Sequence, residues 1–329
     1  MNNINTQASK DFNLEAARET VILAKNEENI LPLPKNKRIL IAGTSGNKLR
    51  VLNGGWSYKW QGDREDYFKE FAKESLTVRE AIEQKVITSG GSVSYIEGAN
   101  FTHAIGIDNA VDQANNADVI VLCLGEDTYT EWLGNIDNMY LDAPQQQLAD
   151  ALIKTNKEIV LVYLGGRPRI ITSIAKSPNV KGILLSFLPG NRGSEALADI
   201  LFGDYNPDAK LPFTYPENVN GQTPYDLRPL ELFYPNKYFY LYPFGHGLSY
   251  TNFTYTDLKV NKPTVNYNES VQVSVTVKNT GTLPGKETVI LYLSDQIASI
   301  SRPIRQVKIS IFFKFLLLFI LKFFYFSII

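Results

Sequence analysis

Residues 119–124 read VIVLCL, an apolar run closed off by Asp118 on one side and Gly125 on the other. A short run of that kind predicts a strand buried on both faces. Beyond it a loop carries Glu126, Asp127, Glu131 and Asp137, and a helix starts near Pro144, whose missing N–H would be unpaired there anyway. The order recurs along the chain. Residues 38–43, 93–96, 157–164 and 180–187 are strand-like, whereas 77–86, 107–116, a stretch ending near Ala175 and 191–202 are helical. Strands and helices alternating at this spacing favour parallel, right-handed crossovers, and the leading fold is an open three-layer α/β/α sandwich. Open sheets hold ligands beyond the carboxyl ends of their strands. The carboxylates after residues 119–124 therefore either form a site or line a solvated loop.

Local signals refine this frame. Asp11 is a candidate cap for a helix over residues 12–25, with Leu14, Ala17, Val21 and Ala24 as its apolar stripe. Thr77 and Glu80 have capping-box spacing. Residues 52–63 read LNGGWSYKWQGD, in which paired glycines allow close backbone packing and Trp56 and Trp60 are either core anchors of a long loop or a free aromatic platform. Residues 203–250 are rich in Pro, Gly, Asn and aromatics and predict an ordered connector over a surface. His246, between Gly245 and Gly247, is read as holding that loop rather than as catalytic. From residue 254 the period becomes two: Val271, Val273, Val275 and Val277 alternate with polar residues, and residues 288–293 supply another strand. This opens a β-sandwich that needs about seven strands to complete.

Several classes are excluded or weakened. A formal net charge of -1 gives no reason to expect a nucleic-acid partner. Cys123, the single cysteine, lies inside the apolar run and reads as packing, and His103 and His246 form no metal-like array. No GxGxxG follows the first strand and no Walker loop is present, so neither a dinucleotide nor any other cofactor is expected, although a flavodoxin-like binding module stays open. Residues 1–10 lack the apolar core of a secretion signal. Residues 309–329, ISIFFKFLLLFILKFFYFSII, show neither alternation nor turn residues. Lys314 and Lys322 leave no uncharged stretch long enough to span a bilayer, so a membrane partner is not expected. Translated AT-rich non-coding sequence, a membrane-associated tail and a packed helix are the three readings of this segment.

The ordered set AARETVILAKNEENILPLP, GGWSYKWQGD, LGEDTYTEWLGNID, GGRP, NPDAKLPFTYP and YPFGHGLSYTNFTY resembles the C-terminal half of the glycoside hydrolase family 3 enzymes, β-glucosidases and their relatives. The resemblance implies an α/β sandwich over residues 12–204, an aromatic and proline-rich connector over 205–253, and an incomplete all-β fibronectin type III-like domain over 254–308. Residues 309–329 fall outside it. It further implies a β-linked glucoside or oligosaccharide as substrate, with the nucleophilic aspartate on an N-terminal (β/α)8 barrel that would be this chain's missing partner. By motif position Glu131 matches the acid/base, Trp60 the residue that stacks on the outer sugar, and Trp56 its support. Arg167 and Asp137 match residues that hold the acid/base loop, and Glu126 a structural glutamate. A retaining glycosidase needs two carboxyls about 5–5.5 Å apart, one attacking and one protonating the leaving oxygen. The proton donor benefits from desolvation of the kind an indole such as Trp132 provides when a loop closes. Glu131 fills one of these roles only, so the chain alone is expected to be inactive. An accessory carbohydrate-binding module and a structural remnant are the other two readings. Family enzymes are commonly secreted, periplasmic or vacuolar, and Asn100, Asn252 and Asn268 begin glycosylation sequons.

Overall fold

The computed structural model describes residues 6–221, 223–227, 238–266, 269–294, 300, 303–315 and 320–321. It divides into two compact units, Met1–Thr223 with Phe239–Leu248, and Pro224–Tyr238 with Ser249–Ile329.

In the first unit, β1 (Ile22–Asn26), β2 (Arg38–Ala42), β3 (Ser92–Ile96), β4 (Val119–Gly125), β5 (Ile159–Leu164) and β6 (Val180–Phe187) form one sheet in the order β1-β6-β5-β4-β2-β3. All neighbours run parallel except β1, which joins β6 antiparallel at the edge. Every residue of β4 and β5 is buried, as their unbroken apolar sequences require of central strands. Helices α1 (Gln7–Arg18), α2 (Glu65–Phe71), α3 (Val78–Val86), α4 (Ile107–Asn115), α5 (Ala143–Ile153), α6 (Thr172–Ala175) and α7 (Gly193–Leu201) supply the outer layers. One face of the sheet, with Leu40, Ile120, Leu122, Leu161 and Ile183, packs on Ala110 and Ala114 of α4 and Leu148 and Leu152 of α5. On the alternate parity α1 and α3 pack against α7. Two short strands, β7 (Tyr215–Pro216) and β8 (Tyr240–Tyr242), pair within the connector. This is the expected α/β sandwich.

Two local expectations fail. The helix placed over residues 12–25 ends at Arg18 and is capped by Thr6, whose side chain accepts from the Ser9 N–H. Residues 22–26 are strand β1 instead. Val21 and Ala24 continued the helical stripe by spacing alone, but ladder bonds to β6 capture that short run. In the second unit β9 (Phe253–Val260), β10 (Val273–Asn279), β11 (Gly285–Leu293), β12 (Gln306–Phe315) and β13 (Ile320–Leu321) form two antiparallel sheets, β13-β10-β9 and β11-β12. Of the four alternating valines, Val273 and Val277 are buried, while Val271 and Val275 are half-buried. A register shift between Ser274 and Thr276 turns Val275 off the packed face. The tail after Lys308, which shows no strand alternation and for which a packed helix was one reading, is the other: β12 crosses that boundary and pairs with β11 as far as Phe315 opposite Gly285. Aromatic and β-branched residues suit a pleated ladder, whose backbone bonds do not depend on alternation. Among the described residues no helix is long and apolar enough to cross a membrane. Asn268 and residues 316–319 and 322–329, Lys322 included, lie outside the described residues.

Candidate active site

The site grows from the carboxyl end of β4. Gln145 of α5, almost fully buried, accepts from the Gly125 N–H at 3.0 Å and donates to the Gly125 carbonyl at 2.8 Å, fixing the point where the chain leaves the sheet. Glu126 follows with only 4 % of its surface exposed. Its carboxylate accepts from the Arg167 N–H and Nε, both at 2.9 Å, and from Arg169 Nη1 at 3.0 Å. A buried carboxylate is tolerable with this much donor density. Both guanidinium groups then reach on to the loop. Arg167 donates to the Gly134 carbonyl and lies 3.9 Å from the Tyr129 ring centre, and Arg169 donates to the carbonyls of Met139 and Tyr140. Tyr163 and Tyr215, both buried, donate to the carbonyls of Arg167 and Arg169. Burial holds both phenols far above their ordinary range, with smaller contributions from a neighbouring tyrosine and the Glu126 charge.

Glu131 sits on the loop so held. It opens a 3-10 turn, Glu131–Gly134, with φ of 54°, and its side chain is exposed, as are Trp132 and Leu133. A non-glycine residue in the left-handed region stores about 1–3 kcal/mol and persists only where its surroundings over-determine it. The facing loop has the same character, with Trp56 at φ 61° and Tyr58 at φ 59°. Trp56 and Trp60 are exposed, 70 % and 42 % respectively, so neither is a core anchor. Tyr58 between them is also exposed but has ring partners: it meets the buried Phe68 edge-on at 5.0 Å and stacks on Phe71 at 5.6 Å, while Asn191 donates to its hydroxyl at 3.0 Å.

The two loops are joined. Thr130 donates its hydroxyl to the Trp60 carbonyl at 2.7 Å and its N–H to Gln61 Oε1 at 3.1 Å. Arg50 and Asp127 form a two-pronged ion pair with both N–O distances 2.8 Å. A Cβ at Gly55 would lie 1.9 Å from Thr130 Oγ1, so only glycine permits this approach. The structure therefore brings Glu131, Trp60, Trp56, Glu126 and Arg167 into one connected region. Asp137 does not join them: it is exposed and makes no hydrogen bond or ion pair with a described residue. Thr130, Gln61, Arg169 and the Arg50–Asp127 pair were not singled out from sequence. For Thr130, Gln61 and Arg169, positions beside Glu131, Trp60 and Arg167 in the motifs TE, WQG and GGRPR were the available signal.

Elsewhere the chemistry is quiet. Burial pushes the Cys123 thiol up to about 12, which leaves it inert near neutrality. His246 bonds through Nε2 to the Ala24 carbonyl at 2.7 Å and stacks on Tyr242, and so holds its loop. Among the described residues no group of His, Cys, Asp or Glu converges as a metal site.

An exposed carboxylate beside exposed indoles, on loops at the carboxyl edge of a parallel sheet, fits a carbohydrate-processing α/β domain, and comparison with known proteins narrows that class. Residues 21–250 match the model of the glycosyl hydrolase family 3 C-terminal domain. The chain belongs to glycosyl hydrolase family 3. It is 35 % identical to a periplasmic β-glucosidase of Salmonella typhimurium over 89 % of this chain and 42 % of the relative. Identity is likewise 35 % to a lysosomal β-glucosidase of Dictyostelium discoideum, over 89 % and 37 %, and 33 % to a β-xylosidase of Formosa agariphila, over 92 % and 42 %. The chain thus spans about two fifths of the length of these curated relatives. Among solved structures, a Listeria innocua β-glucosidase variant in complex with laminaribiose superposes with TM-score 0.83 at 26 % identity, covering 99 % of this chain and 46 % of that one. An Erythrobacter marinus β-glucosidase gives 0.83 at 29 %, covering 97 % and 45 %.

Proposed function

We propose that this chain carries the acid/base half of a retaining β-glucosidase site acting on terminal non-reducing β-D-glucosyl residues. Glu131 protonates the departing glycosidic oxygen while a carboxylate from outside the chain attacks the anomeric carbon. Glu131, now ionised, then takes a proton from the water that releases the sugar. Trp60 offers its face to the sugar in the outer subsite and Trp56 supports it. Glu126 and Arg167 hold the loop without touching substrate. The observation that carries this reading is a solvent-facing Glu131 on a strained, well-braced loop, one residue from the bond that ties Thr130 to Trp60. The β-glucosidase names of two relatives and the laminaribiose complex of the Listeria enzyme support a glucoside, whereas the Formosa relative is a β-xylosidase.

The test joins the chain to the portion of the Salmonella enzyme outside the match and follows a series of leaving groups. Glu131→Gln should lower kcat/KM by about 10²–10⁴ for cellobiose or an alkyl glucoside, whose leaving oxygen needs a proton, and far less for a dinitrophenyl glucoside. Equal effects across the series would remove Glu131 from the acid role. The exposed indoles also favour sugar binding by the chain on its own. Quenching of tryptophan fluorescence by laminaribiose, lost in Trp60→Ala, would register it.

A further inference from the structure

We propose that Thr130 and Gln61 are positioning residues that lock the acid loop to the tryptophan loop, Thr130 through the carbonyl oxygen of Trp60 and Gln61 through the main chain of Thr130. This rests on the reading of Glu131 as the acid. The Trp60 oxygen accepts from the Trp56 N–H at 2.8 Å and from the Thr130 hydroxyl at 2.7 Å. Both indole-bearing residues and the neighbour of the acid therefore meet at a single point. Gln61 doubles the joint, accepting from the Thr130 N–H at 3.1 Å and reaching the Thr130 carbonyl with its amide at 3.5 Å. Thr130 is buried, so this set of bonds is shielded from competing water.

A second fastening stands at the other end of the tryptophan loop, where Arg50 grips Asp127. With both ends tied to residues 127–130, the tryptophan loop and the acid loop have little freedom to slide past each other. Leverage follows from the backbone. Thr130 is extended, at φ -145° and ψ 138°, and the chain reverses at Glu131 with φ 54°. A small displacement of Thr130 therefore swings the Glu131 carboxyl relative to the sugar platform. Misplacement of about 1 Å at a catalytic group costs on the order of 10²-fold in rate. The clasp thus fixes acid and platform as a single preorganised piece.

The experiment has two arms. Hydrogen exchange on the full chain compares wild type with Thr130→Val, which removes the hydroxyl and keeps the outline, and with Gln61→Leu, which opens the joint from the other loop. Each should speed exchange over residues 54–62 and 126–134 together, by about three- to tenfold, the effect of one neutral hydrogen bond, with β4 and β5 unchanged. Thr130→Ser should restore protection. Acceleration confined to the mutated loop, spread through the sheet or absent would overturn the clasp. In the joined enzyme, Thr130→Val should lower kcat/KM for an alkyl glucoside about tenfold more than for a dinitrophenyl glucoside, and Thr130→Ser should recover it. A loss equal for all leaving groups would overturn the positioning role. Should Glu131→Gln itself show no leaving-group dependence, the acid assignment fails while the exchange coupling still stands on its own.

Discussion

Glu126 and Glu131 share a loop and a side-chain chemistry, yet their surroundings assign them opposite work. Glu126 is enclosed by donors from Arg167 and Arg169, and removing it would leave two guanidinium groups without their common anion. Glu126→Ala should cost about 3–5 kcal/mol, read as a lowered urea midpoint. Glu131 faces solvent in a conformation that glycine adopts freely, so Glu131→Gly should leave stability unchanged or raise it by about 1 kcal/mol in the same measurement. A residue whose removal relaxes the fold is kept for something other than folding. The strand end, the glutamates and Arg167 were legible in the sequence because burial pattern and motif both marked them. Arg169, Thr130 and Gln61 were not, since several of their bonds end on main-chain carbonyls, which carry no residue-type signal. Asp137 was marked by motif position alone, and among the described residues it makes no hydrogen bond or ion pair.

At the scale of elements, the helical layer of α1, α3 and α7 is tied by Asp199, a buried carboxylate on α7. It accepts from Arg18 of α1 at 2.8 Å and pairs with Lys85 of α3. Asp199→Ala should destabilise the first unit by about 2–4 kcal/mol, by loss of charge-assisted bonds that join three helices. Edge strand β1 has a different guard. The Leu248 N–H donates to the Leu23 carbonyl at 2.8 Å, and His246 bonds to Ala24 on the same strand. Burial holds the His246 imidazole below its ordinary value, so the neutral ring is the folded form. The unfolded chain then binds the proton more readily. This contribution to stability is complete above about pH 6.5 and is lost as pH falls toward the depressed folded value. Urea midpoints should fall between pH 7 and 5 in wild type and lose that component in His246→Gln. The capping box of α3 could be read from Thr77 and Glu80 alone, because both halves of that motif are local. Strand β1 could not, because only its pairing with β6 distinguishes it from the end of a helix.

The whole molecule combines a six-stranded sheet, parallel except at edge strand β1, with a loop region in which Glu131 is the proposed acid. The chain spans about two fifths of its curated relatives, and the proposed function places the second carboxylate outside this chain. The purified chain should therefore hydrolyse an aryl β-glucoside no faster than its Glu131→Ala variant, and turnover above that control would contradict the division of roles. Fold class was legible because alternation of apolar runs and helices is a long-range signal repeated along the chain. The course of the chain beyond Lys308 was not, because an apolar run without alternation does not distinguish strand from helix until its partner strand is known. The decisive measurement is azide rescue in the joined enzyme carrying Glu131→Ala, with a dinitrophenyl β-glucoside as donor. Azide attacks a glycosyl-enzyme intermediate without needing a base, from the side that the leaving group vacated. With Glu131 as acid/base, azide should accelerate turnover and yield the β-glucosyl azide; no acceleration, or the α-anomer, would contradict that role.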